Sequence, residues 1–274
     1  MIPVRTFVNA SNPVLFRHWV RFYKALGCDQ FLLVINYSEE EDAERILEII
    51  QDEKIETMTW DWKGSYSSPE KDKYIDQQMD PLRDLPCEYV VNADMDEFVE
   101  FPVLLPDLLV ELKSYNNERV VGFFVDRISE ELKPLEPSKN IFEQAPFNTQ
   151  ITHRLAKGYT IKNPITHCSI RPHRAWHIKR KYQTNYPHMV PVYHFKWFTG
   201  LKEYMKGRYN HYKSQNIRQF RESKRIYNFI SKGRSLKKYY VPDGDKVSYR
   251  EHEYRVDWVS RREQIKYLHD EMYP

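Results

Sequence analysis

Glu88-Tyr89-Val90-Val91-Asn92-Ala93-Asp94-Met95-Asp96-Glu97-Phe98 is the stretch whose reading decides the fold. It begins as a short apolar run and ends in two aspartates one residue apart. Apolar residues at successive positions mark a strand buried on both faces, which is the habit of parallel sheets. In an open parallel sheet the carboxyl ends of the strands share one edge, and polar residues that follow a strand lie there.

The neighbouring segments supply the rest of such a sheet. Upstream, Arg5 to Val8 reads as a strand ending at Asn9, and Ser11-Asn12-Pro13 gives a helix cap with proline at the first helical position. Phe16, Trp19, Val20, Tyr23 and Leu26 recur at helical spacing until Gly27 stops the helix. Gln30 to Ile35 is a buried strand. Glu40 to Ile50 is an amphipathic helix with Ala43, Ile46, Leu47 and Ile50 on one side, and Ile55 to Trp60 is a third strand. Asp72 to Leu82 and Leu104 to Tyr115 read as helices, and Val120 to Val125 as a further strand. Strand and helix alternating in this way predict an α/β fold with right-handed crossovers and a doubly wound, mostly parallel sheet.

The pattern changes beyond Ser129. The stretch to Pro172 has no sustained period, and five histidines follow closely: His167, His173, His177, His188 and His194. Lys202 to Lys238 carries twelve Lys or Arg against two Glu, interleaved with Tyr204, Tyr209, Tyr212, Phe220, Tyr227 and Phe229. The tail from Arg250 to Pro274 returns to a mixed-charge helical pattern. The expected organisation is an α/β domain over 1–200 and a helical, basic extension over 201–274.

Composition narrows the function classes. With 41% hydrophobic and 15% aromatic residues, the 274-residue chain has material for a sizeable core. Its 42 basic and 39 acidic side chains nearly cancel, so the chain as a whole is no obvious nucleic-acid binder. Cys28, Cys87 and Cys168 are far apart and form no C-x-x-C pair, which argues against a disulfide framework or a cysteine zinc site. The first residues lack a signal-peptide pattern, and no run of about 18 apolar residues occurs. The expected location is cytoplasmic, with peripheral contact at the inner membrane face as an extension of that reading.

Asp94 and Asp96 are the centre of the chemistry. Alternate residues of an extended chain point the same way, so both carboxylates are expected to face one site. Oxygen ligands suit hard cations such as Mn²⁺ or Mg²⁺, and such an ion can bridge the phosphates of a nucleotide sugar. The bland alternative is a loop of solvated carboxylates; the strand-end context favours a site. Asp126, after the Val120–Val125 strand, is the candidate general base on the same sheet edge, against a plain salt bridge with Arg127. Glu130 and Glu131 follow it. Asp61, Lys63, Ser65 and Asp72-Lys73 are candidates for holding a nucleotide, whereas Trp60 and Trp62 read as packing groups. The histidine spacings match no standard zinc pattern. The basic stretch reads first as a solvated helical face, then as a contact for an anionic membrane, and last as a nucleic-acid contact.

Taken together, these features resemble family 2-type glycosyltransferases of the GT-A fold, especially the branch sharing patterns with family 92. The matching residues are Asn9, Phe16-Arg17-His18-Trp19-Val20-Arg21-Phe22-Tyr23, Leu26-Gly27-Cys28-Asp29, Phe31 to Asn36 with Ser38, Asn92 to Phe98, and Val192-Tyr193-His194-Phe195-Lys196-Trp197. The resemblance implies inverting transfer from a nucleoside-diphosphate sugar, and the expected substrates are a UDP-linked donor and a hydroxyl of a glycan or lipid-linked acceptor. It implies Asp94 beside the donor ribose or sugar, with Asp94, Asp96 and His194 as metal ligands. Lys196 would meet the diphosphate, and Asn9 would join the donor contacts to which Asp61 and Lys73 are assigned by their position in the early polar loop. Many relatives carry Asn-Glu after the first strand; this chain has Asn9-Ala10-Ser11-Asn12, which departs from their ribose and base contacts. Two rivals stand beside this reading. A nucleotidyltransferase would show a glycine-rich loop near the first strand, and none of the eight glycines cluster there. A non-catalytic module binding polyanions or membranes through 202–238 would ignore metal and Asp96.

Overall fold

The computed structural model describes residues 1–64, 74, 87, 90–101, 104–114, 119–128, 134–149, 167–169, 185–197, 201–213, 220, 223–224, 227–228, 231–232, 246–249, 252–255 and 272. Apart from Tyr74, the helix expected over Asp72 to Leu82 lies outside the described residues.

The chain opens as β1 (Pro3–Asn9), α1 (Pro13–Ala25), β2 (Gln30–Tyr37), α2 (Glu40–Asp52) and β3 (Thr57–Lys63). It continues as β4 (Val90–Asn92), β5 (Glu97–Val99), α3 (Leu105–Ser114) and β6 (Arg119–Ile128). Then follow α4 (Ile141–Gln144), β7 (Phe147–Thr149), β8 (His167–Ser169), β9 (Asn185–Trp197), α5 (Leu201–Tyr212), β10 (Lys246–Tyr249) and β11 (His252–Arg255).

Local chemistry explains where α1 starts and stops. Pro13 sits at its first turn, and the Asn12 side chain accepts the Leu15 amide at 3.3 Å. It buries Leu15, Phe16, Trp19, Val20, Phe22 and Tyr23. Gly27 ends it with φ of +100°, where a Cβ would also stand 3.0 Å from Pro106 Cδ, so the position is doubly restricted to glycine. In α2 the first turn carries Glu40, Glu41 and Asp42 against the positive end of the helix dipole. Its buried face is Ala43, Ile46 and Ile49, while Leu47, counted with that face from sequence, is 44% exposed.

The main sheet has the order β3-β2-β1-β4-β8. The pairs β1–β2, β2–β3 and β1–β4 are parallel, and β8 closes the edge antiparallel to β4. This is the expected α/β class with a mostly parallel sheet. Gln30 to Ile35 of β2 is buried throughout, each large apolar side chain worth roughly 1.5–3 kcal/mol of transfer free energy. The order 3-2-1-4 means successive crossovers run outward from β1 on one side, and the chain then returns to its other side. The topological switch point therefore lies between β1 and β4.

A second sheet runs β5-β9-β6-β7, with β6 and β7 antiparallel. This corrects the expectation that the Val120–Val125 strand joins the parallel sheet. The strand also continues through Asp126 to Ile128, because the charge at Asp126 is met inside the protein. A second correction concerns the tail: β10 and β11 pair antiparallel with Tyr249 opposite His252, where a helical pattern was expected. Short runs containing Val247, Tyr249 and Tyr254 carry β propensity that a longer helical window averages away.

Two compact units divide the chain. The first comprises Met1–Phe123, Asn163–Val192 and Tyr267–Pro274; the second comprises Phe124–Lys162 and Tyr193–Lys266. In the second unit Phe142 meets Tyr193 and Phe195 edge-on at 5.3 and 5.2 Å. Tyr209 stacks on Phe220 and Tyr227, so these three aromatics of the basic stretch hold one another. Cys28 and Cys87 take part in no disulfide among the described residues. Among the described residues no helix is long and apolar enough to cross a membrane.

Candidate functional site

The first unit brings three carboxylates together beside the switch point. β4 is fixed on β1 by the register Val4↔Val91 and Arg5↔Asn92, and by the Ala93 amide donating to the Arg5 carbonyl at 3.3 Å. The Arg5 side chain, itself buried, donates from Nε to Asn92 Oδ1. Beyond Ala93 the chain does not stay extended. Residues 94–97 form a turn closed by the Glu97 amide donating to the Asp94 carbonyl at 2.9 Å. Aspartate at the first position of a turn and a buried Met95 within it suit this geometry.

The turn changes which acids meet. Carboxylate oxygens of Asp94, Asp96 and Glu97 lie within 4.8 Å of one another, with Asp94 exposed, Asp96 half-buried and Glu97 buried. Strand alternation pairs Asp94 with Asp96 and leaves Glu97 pointing elsewhere; turn curvature gathers all three. The Asp94 amide also faces Glu97 Oε2 at 3.4 Å. Glu97 is thus an acid to which the sequence reading gave no ligand role. Its signal was the aspartate three positions earlier, which favours a turn at the strand's end.

Glu97 is anchored from behind by α1. Tyr23, fully buried, donates its hydroxyl proton to the Glu97 carbonyl at 3.0 Å and accepts the Val99 amide at 3.3 Å. Phe22 packs on Phe98 at 5.1 Å. One phenol therefore satisfies two backbone groups of β5, the strand that carries Glu97.

Three carboxylates this close repel one another, and a cation between them relieves that repulsion. The donor set is all oxygen, with no thiolate, which fits a hard divalent ion such as Mg²⁺ or Mn²⁺.

The other first-unit candidates stand on the same sheet. Asn9 ends β1 and is exposed; its Oδ1 accepts from the Ser11 amide at 3.2 Å and the Ser11 hydroxyl at 2.8 Å, holding the turn into α1. Asp61 is exposed near the end of β3, opposite Ile35 of β2. Lys63 pairs with Glu40 at 2.6 Å, and that partner raises its pKa. Tyr37 also titrates above its ordinary value, through desolvation first and then the negative charges of Glu40 and Asp61. Asn36 Nδ2 donates to the carbonyls of Trp62 and Gly64 at 3.0 and 2.9 Å, fixing the exit of β3. Trp62 packs edge-on against Phe7 at 5.6 Å and stacks with Tyr74 at 5.2 Å. Lys73, with Ser65 and Asp72, lies outside the described residues.

In the second unit the structure joins Asp126 to His194. His194 Nδ1 is 2.8 Å from Asp126 Oδ1, and the two side chains are 6% and 0% exposed. The neighbours on each strand face the other way: Arg127 Nη2 donates to the Phe142 carbonyl at 2.9 Å, and its guanidinium lies 5.5 Å from both the Phe142 and Tyr193 rings. The partner that the structure shows for Asp126 is thus His194. Glu130, Glu131, His173, His177 and the Lys196 side chain lie outside the described residues.

No family profile matches this sequence, and no curated protein sequence matches it. Solved structures similar to it include the 1-349 segment of TarS from S. aureus, at 11% identity and a TM-score of 0.38, covering 76% of this chain. The alignment spans 63% of the length of that TarS segment. Another is the nucleoside-diphosphate-sugar pyrophosphorylase from Vibrio cholerae, at 11% identity and a TM-score of 0.33, covering 71% of this chain and 91% of that one. Likeness at these values does not carry an activity from those proteins to this chain.

Proposed function

We propose that this chain is a metal-dependent glycosyltransferase of GT-A type. It moves a sugar from a nucleoside-diphosphate donor, taken here as UDP-linked, to a hydroxyl of a glycan or lipid-linked acceptor, with inversion. The observation that carries this reading is the acidic turn: Asp94, Asp96 and Glu97 converge at the carboxyl edge of a parallel sheet, beside its switch point. Ligands of open α/β sheets bind at that edge.

Asp94, Asp96 and Glu97 would hold the divalent ion. When bound, such an ion supplies charge neutralisation for a departing diphosphate. The remaining work belongs to the chain. Asp94, the most exposed of the three acids, orients the donor sugar or ribose. Asn9 and Asp61, both exposed near the ends of strands of the same sheet, meet the nucleoside together with Lys73. Lys196 supplies positive charge to the diphosphate. The sugar's anomeric carbon gains the acceptor oxygen as its bond to the diphosphate breaks, and the nucleotide leaves with that electron pair. The acceptor proton passes to a base in the acceptor site.

A peripheral role for the basic stretch fits beside this reading. Lys202 and Lys206 are exposed one turn apart on α5, and Lys213 is exposed just past its end. The Tyr209, Phe220 and Tyr227 rings are occupied with one another, which favours electrostatic docking on an anionic membrane over insertion.

The deciding experiment incubates a panel of nucleotide sugars with Mn²⁺ or chelator and measures nucleotide release by wild type and Asp96→Ala. Metal-dependent release that disappears in the variant is the expected result. Silence of the wild type across the panel, with no stabilisation by any donor, defeats the reading.

A further inference from the structure

The acidic turn is pinned from two directions, and the second pin comes from a helix. We propose that Tyr23 is the positioning residue of that turn: its hydroxyl fixes the Glu97 backbone and so holds the three carboxylates at the spacing a divalent cation requires. This rests on the reading above for the cation, and on the geometry alone for the turn.

At the entry of the turn, β4 is fixed on β1, and the Ala93 amide donates to the Arg5 carbonyl at 3.3 Å. At its exit, both backbone groups of Glu97 are engaged. The Glu97 amide donates to the Asp94 carbonyl at 2.9 Å, and the Glu97 carbonyl accepts the Tyr23 hydroxyl proton at 3.0 Å. The same phenol oxygen accepts the Val99 amide at 3.3 Å, so it spans β5 from one end to the other. With the peptide groups on both sides of it held, Glu97 has little freedom to swing its side chain, and its Oε2 stays 3.4 Å from the Asp94 amide. Asp96 lies between those fixed points and follows them.

The hydroxyl and the ring of Tyr23 do different work. The ring is fully buried and packs on Trp19 at 4.7 Å and Phe22 at 5.3 Å, a role phenylalanine would fill equally. A buried hydroxyl costs stability unless it is hydrogen-bonded, and this one grips two backbone groups of the strand that carries Glu97. The helix behind it is itself anchored. Trp19 meets Phe31 of β2 edge-on at 6.0 Å, and the Leu26 carbonyl accepts the Leu105 amide at 3.0 Å. The phenol is therefore mounted on the same sheet that carries β4, which makes the entry and exit of the turn parts of one frame. A site held in this way loses less freedom when an ion binds.

The test separates the hydroxyl from the ring. Tyr23→Phe keeps the aromatic packing and deletes one oxygen. Ile46→Val, on the buried face of α2, is the control that loosens the core away from the turn. The Glu97 amide bonds to Asp94 and not to the phenol, so its proton shift and temperature dependence report the turn itself. Both are read in ¹H–¹⁵N spectra of the full-length, metal-free protein. The expected result is a weakened Glu97-to-Asp94 bond in Tyr23→Phe and an unchanged one in Ile46→Val. An unchanged Glu97 amide in a folded Tyr23→Phe overturns the proposal, as does an equal change in the control. Should Tyr23→Phe not fold, a wild-type temperature series decides. The Tyr23 ring signals and the Glu97 amide must then loosen together, and a Glu97 amide that loosens alone overturns the proposal.

Mn²⁺ affinity then tests the reading underneath. Tyr23→Phe is expected to bind Mn²⁺ roughly threefold to tenfold more weakly, the scale of one lost hydrogen bond, with affinity level in Ile46→Val. Wild-type affinity in Tyr23→Phe overturns the positioning role. A wild type that binds no Mn²⁺, while its Glu97 amide still answers to Tyr23, keeps Tyr23 as the residue that sets the turn and removes the cation.

Discussion

The two polar centres of this chain solve opposite electrostatic problems. In the first unit, Asp94, Asp96 and Glu97 gather like charges on a turn whose exposure falls from the first to the last. In the second, Asp126 and His194 form a complementary pair with almost no exposed surface. On the proposed reading the acidic turn takes a positive partner from solution. The buried pair already supplies its own. Proximity of ionisable groups therefore means different things in the two places: demand for a ligand in one, and internal orientation in the other.

Removing Asp96 should break this contrast most severely. Asp96→Ala is expected to lower metal-dependent nucleotide release by about 100-fold or more, since metal stabilisation of developing charge is worth several kcal/mol and each 1.36 kcal/mol is tenfold. A folded variant with wild-type release would mean that the acids are only a solvated loop. Glu97→Gln sharpens the point. Mn²⁺ titration should show a loss of roughly tenfold or more in affinity if the turn geometry governs the site. Unchanged affinity in Glu97→Gln, with Asp94→Asn and Asp96→Asn both impaired, would instead restore the two-residue picture of an extended strand.

The effects on stability should be smaller. Tyr23→Phe deletes one hydroxyl and leaves the Val99 amide and the Glu97 carbonyl without it, so thermal or denaturant unfolding should register about 1–3 kcal/mol of destabilisation. Asn12→Ala removes the α1 cap and should cost about 1 kcal/mol with no change in Mn²⁺ affinity. A cap variant that weakened the metal site as strongly as Glu97→Gln would show that α1 as a whole, not Tyr23, sets the turn.

Much of the α/β half was legible because its signals are local. Pro13 after Asn12, glycine at 27 and the unbroken Gln30–Ile35 run each specify an element through nearby atoms. The strand before Asp94 was legible for the same reason. What the sequence hid was non-local. Val120–Val125 reads as one more buried strand, and nothing in those residues reveals that β6 pairs with β7 and β9 instead of joining β1. Asp126 and His194 are 68 positions apart, so their contact has no periodic signature. Glu97 was hidden differently. Its neighbours were read with a strand's two-residue period, whereas the short bond from the Glu97 amide to the Asp94 carbonyl bends the backbone there. The four-residue β10 and β11 segments were too brief for periodicity to separate them from a mixed-charge helix.

The bridge from Tyr23 to β5 has a practical consequence. The Val99 amide donates to the same phenol that grips the Glu97 carbonyl, so its protection from deuterium exchange reports how firmly the acidic turn is held. Adding Mn²⁺ should slow that single amide, giving a gauge of ion occupancy that needs neither a sugar donor nor an acceptor.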